Sequence, residues 1–133
     1  MDHLQMHKDH KRWQEEHLGW IMEIDRWQAE HEEALATLVK LQDALRGCAA
    51  SLQGHIQAIR EHEHALKAHE HAIAEHERTG KGPEHDALAR KHLEMAALHA
   101  EQRAAHERLK EHHREVMSLI RKLSRLLADC PSP

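Results

Sequence analysis

The 133-residue chain is expected to be all-α, with long heptad-patterned helices packed as an antiparallel coiled-coil bundle that carries histidine layers in its core. Three observations predict this. Strand and turn formers are scarce, with no Phe, no Tyr, 5 Gly and 3 Pro, which removes β-sandwiches and barrels from consideration. Apolar residues and histidines recur every seven positions over almost the whole chain. Only one strong helix-breaking run, Thr79-Gly80-Lys81-Gly82-Pro83, interrupts the pattern.

The first element is a helix over about 2–78. With His3 at position a, the a series reads His3, His10, His17, Ile24, His31, Leu38, Leu45, Leu52, Ile59, Leu66, Ile73. The d series reads Met6, Trp13, Trp20, Trp27, Ala34, Leu41, Cys48, His55, His62, His69, His76. Neither series slips, which argues for one helix about 115 Å long at 1.5 Å per residue. Gly47 and Gly54 leave a bend near 47–54 open. A monomeric three-helix bundle turning at Gly47 is the competing arrangement, and it aligns fewer histidines. A turn at 79–83 follows, where Gly suits a helix C-terminus and Pro a helix start. The second helix covers about 84–128, with a at His85, His92, His99, His106, His113, Ile120, Leu127 and d at Leu88, Met95, Gln102, Leu109, Val116, Leu123, Cys130. Residues 129–133 read as a frayed tail, and 1–133 as a single helical domain.

Thirteen of the 17 histidines fall at a or d, where two positions in seven would place about five. Folding the chain back at the turn pairs residues whose numbers total 161: His76 with His85, His69 with His92, His62 with His99 and His55 with His106. Residues 3–32 are then left without a partner. An antiparallel homodimer supplies one when residues totalling 79 face each other across two copies. His3, His10 and His17 then reach the levels of His76, His69 and His62 of the other copy, and Ile24 reaches His55. His31 comes level with Cys48 and His113. Met6, Trp13, Trp20 and Trp27 fill the layers between, and leucines form an aliphatic centre around Leu41.

Three neutral imidazoles in one layer match the ligand set of a zinc or copper site with a fourth position open. The candidate metal ligands are therefore His3, His10, His17, His31, His55, His62, His69, His76, His85, His92, His99, His106, His113 and Cys48. An acid adjoins most of them (Asp2, Asp9, Glu16 and Glu30 before, Glu63, Glu70 and Glu77 after), suited to fixing a ring tautomer. The same acids also serve as ordinary flanks of a helix seam. Cys130 reaches the Cys48 level, so a mixed Cys/His site or an intersubunit disulfide is open there. Layers seven residues apart stand roughly 10 Å apart, which makes the sites separate single ions.

The run His62-Glu63-His64-Ala65-Leu66-Lys67-Ala68-His69-Glu70-His71-Ala72-Ile73-Ala74-Glu75-His76-Glu77, with His85, His92 and His99 after the turn, resembles the small histidine-rich metal-binding helical proteins of bacteria. The resemblance covers about 55–113 and implies binding or buffering of copper and similar divalent ions.

Other function classes are bounded by composition. Lys+Arg 19 against Asp+Glu 23 gives a net charge of −4, which excludes nucleic-acid binding by bulk electrostatics. Protonating every histidine would take it to +13, so the charge state depends strongly on pH and metal. No apolar run approaches a membrane span and the N-terminus lacks a signal-like core. A soluble, cytoplasmic protein is expected as written, or a periplasmic one if a signal has been removed. Storage, buffering or sequestration of zinc or copper is the leading expectation. A pH-responsive structural coiled coil, whose buried imidazoles charge near pH 6, is the second. A His3 metalloenzyme is the third, disfavoured because many equivalent sites suggest capacity over one tuned centre.

Overall fold

The computed structural model describes residues 2–80 and 84–132. It is all-helical: α1 spans His3–Thr79 and α2 spans His85–Ala128. Both bounds fall within a residue of those expected. The backbone stays helical through Gly47 and Gly54, so no turn divides α1 there. Lys81, Gly82 and Pro83, the centre of the expected turn, lie outside the described residues. By its contacts the chain divides into two units, Met1–Ser51 and Leu52–Pro133.

In the first unit, Asp2 starts α1 by accepting the Gln5 backbone N–H at 2.7 Å, which satisfies one of the orphan donors of a helix N-terminus. Arg12 then bridges Asp9 at 3.4 Å and Glu16 at 4.0 Å along one face. Pairs of this kind at i,i+3 and i,i+4 each add only about 0.2–0.5 kcal/mol. Among the described residues of this unit, no large apolar side chain is buried. Trp13, Trp20 and Trp27 are 46%, 54% and 49% exposed, and Leu38, Leu41 and Leu45 are exposed with them.

The second unit is a hairpin in which the end of α1 packs against α2. Gly80, at φ 66°, donates its N–H to the His76 carbonyl at 3.0 Å and closes α1 in the left-handed conformation that residues with a Cβ rarely adopt. Glu84 begins α2 from an extended backbone, with Asp86 in the first turn on the favourable side of the helix dipole. The helices run in opposite directions, since the ring pairs between them are His55–His106, His62–His99, His69–His92 and His76–His85. Leu88 and Met95 are buried between those pairs. The Gln102 side-chain amide reaches across and donates to the Ala58 carbonyl at 3.0 Å. Among the described residues, no helix is long and apolar enough to cross a membrane.

Candidate metal centre

Seven-residue spacing on α1 and α2 sets four imidazole pairs one above another in the hairpin. Ring centres are 5.4 Å apart in His55–His106, 5.5 Å in His62–His99, 5.7 Å in His69–His92 and 6.5 Å in His76–His85. The pairs thus open progressively toward the turn. An ion held 2.0–2.1 Å from a nitrogen of each ring would set two ring centres roughly 5–6.5 Å apart, tetrahedral at the short end and opposed at the long end. All four pairs lie in that range, which is also that of ordinary ring contacts; the first three are stacked, with ring planes 22–28° apart.

The pairs differ in how their nitrogens are satisfied. His55 Nε2 and His106 Nδ1 stand 3.2 Å apart, a hydrogen bond in which one ring donates and the other accepts. His62 and His69 are buried, at 5% and 7% exposure. Both ring nitrogens of His62, and Nε2 of His69, are enclosed without a hydrogen-bond partner. An unpaired buried polar atom costs about 1–3 kcal/mol, so native proteins seldom leave one without a reason. The opposing His92 and His99 are exposed, so each pair is closed on one side and open on the other. Beside His76 and His85, a cavity of about 420 Å³ is lined by Ile73, Glu77, Leu88, Ala89 and His92 among others.

The remaining candidates take no part in these four pairs. His3, His10, His17 and His31 are exposed on the first unit, and His113 is exposed on α2. The His10 ring lies 5.6 Å from Trp13 and the His17 ring 5.3 Å from Trp20, tilted contacts one helical turn apart. Cys48 and Cys130 are free thiols and exposed. Among the described residues of one chain, no three His, Cys, Asp or Glu side chains gather as a metal site. One copy therefore brings two imidazoles together at each level, and a three-histidine layer needs a ligand from outside the hairpin.

Sequence reasoning placed an acid beside most of the imidazoles, and three of those acids have other work. Asp2 caps α1, while Asp9 and Glu16 pair with Arg12. Reasoning from the sequence also missed the His55–His106 hydrogen bond and the cross-helix role of Gln102. A polar residue at d was the available signal for the second. Family models, curated proteins and solved structures return no match to this chain.

Proposed function

We propose that the chain is a metal-binding protein that stores, buffers or sequesters zinc, copper or similar divalent ions in histidine layers of an antiparallel helical bundle. The observation that carries this reading is the stack of cross-helix imidazole pairs, in which both ring nitrogens of His62 and Nε2 of His69 are buried and unpartnered. Neutral imidazole nitrogens are ligands for zinc, copper and nickel, and a bound ion removes the cost of leaving them unpaired. In the bundle we propose, two chains form an antiparallel homodimer whose exposed Trp and Leu seams cover one another. The level of His31, Cys48 and His113 is chemically distinct and would offer a thiolate beside imidazole, softer than the other layers. The resemblance to histidine-rich bacterial proteins agrees with capacity as the purpose.

The deciding experiment takes the full chain, strips it with chelator and titrates it with zinc and copper at neutral pH. Elemental analysis should then find several ions per chain, together with a raised melting temperature. A chain that binds no metal at neutral pH and unfolds sharply near pH 6 would replace this reading with the pH-responsive one.

A further inference from the structure

We infer that three of the four imidazole pairs are metal sites, each completed by a histidine from the N-terminal arm of a second copy, and that the His55–His106 pair is a metal-free hydrogen-bonded closure. The inference rests on the metal-binding reading and specifies its ligand sets and its partner.

Two independent facts coincide. In the 79-sum register between copies, His17, His10 and His3 of the second copy come level with His62, His69 and His76. At the level of His55 the second copy offers Ile24, which cannot ligate. The pair that meets Ile24 is the one whose nitrogens bond to each other, at 3.2 Å. Both residues whose buried ring nitrogens lack a partner, His62 and His69, stand at levels where the arm carries a histidine. At the His62 and His69 levels the structure of one copy leaves unpaired the nitrogens for which the sequence of another supplies a third ligand.

Burial on α1 shows which side of the hairpin the arm would enter. There the g positions Ala58, Ala65 and Ala72 are half-buried and the e positions Glu63, Glu70 and Glu77 are exposed. On α2 the e positions Ala89, Ala96, Arg103 and Lys110 are likewise exposed, and of the g positions Lys91, Leu98 and Ala105 only Ala105 is half-buried. The cavity beside His76 and His85 is bounded by Glu77 and Ala89, both e positions. An arm seated on this edge runs parallel to α2, where the flanking contacts join its g positions to e positions of α2. That sets Glu16 and Glu23 of the second copy against Arg103 and Lys110, opposite charges in both cases. The apolar seam of the first unit also calls for a covering partner, since Trp13, Trp20 and Trp27 are about half exposed at seven-residue spacing.

The test uses the full chain and zinc, with ions counted by native mass spectrometry. Wild type should load three zinc ions per chain as a dimer. His3→Ala, His10→Ala and His17→Ala should each lose one; all three positions are exposed in a single copy, so helicity should be unchanged. The double variant His55→Ala with His106→Ala should keep three. Reversing Arg103 and Lys110 to Glu should weaken dimerisation on the order of tenfold, and adding Glu16→Lys with Glu23→Lys should restore it. Four ions per chain, loss of an ion on removing His55 and His106, or arm variants that still load three would each overturn the inference while leaving metal binding intact. A wild-type chain that loads no zinc would overturn both readings.

Discussion

His55 and His62 occupy equivalent d positions one heptad apart, yet their imidazoles face opposite energetic situations. The His62 ring is 5% exposed with both nitrogens unpartnered, whereas His55 shares a 3.2 Å hydrogen bond with His106. Replacing each with leucine in the chelator-stripped chain should separate the two cases. His62→Leu removes unsatisfied polar atoms and fills similar space, so urea unfolding should show the apo chain stabilised by about 1 kcal/mol. His55→Leu removes a satisfied bond at a partly exposed position and should destabilise by about 0.5–1 kcal/mol. With zinc present the order should reverse, because His62→Leu forfeits a ligand.

At the scale of the helices, the glycines divide by conformation. Gly80 sits at φ 66°, where a Cβ meets the following carbonyl; Gly80→Ala should destabilise the hairpin by about 1–2 kcal/mol in urea titrations. Gly47 and Gly54 lie inside α1 at outward c positions, and a methyl group added to either would meet nothing within 4 Å. Gly47→Ala and Gly54→Ala should therefore each stabilise by about 0.5–1 kcal/mol. The helices were legible in the sequence for the same local reasons. An unslipped heptad carried α1 past Gly47, and the Gly80 run ended it near residue 78, so the His55/His106 to His76/His85 pairing followed by counting. What counting could not reach was the state of each nitrogen. Whether two facing rings bond to each other or stand apart depends on rotamers and sub-ångström offsets, which a seven-residue repeat treats as equal. The partners of Asp2 and Asp9 lay beyond counting for a related reason. A carboxylate on a helix surface has capping and i,i+3 partners on its own chain, and these compete with any imidazole.

At the scale of the whole chain, the unburied seam decides the behaviour in solution. Large side chains such as Trp20, Leu41, Leu45 and Leu52 are about half exposed, far beyond scattered surface hydrophobics. Sedimentation of the zinc-loaded protein should give twice 15.5 kDa. Under the proposed ligand sets, drawn from two copies, metal and association would be mutually dependent, since whatever binds only the assembled state stabilises it. Chelation should thus lower the melting temperature and make it depend on protein concentration. Each site held at a hundredfold its dissociation constant contributes about 2.7 kcal/mol to the loaded state. A melting temperature indifferent to both chelator and dilution would contradict that linkage.

The contacts of His10 with Trp13 and of His17 with Trp20 have an optical consequence. The chain has no tyrosine, so its near-ultraviolet absorption and emission come from three indoles, two of which touch an imidazole. Trp27 instead lies between Ile24, one turn before it, and His31, one turn after it. A paramagnetic copper ion arriving at His10 or His17 would quench Trp13 or Trp20 at close range, whereas one arriving at His31 would quench Trp27. The three indoles would thus report occupancy of the arm level by level, the first two dimming apart from the third.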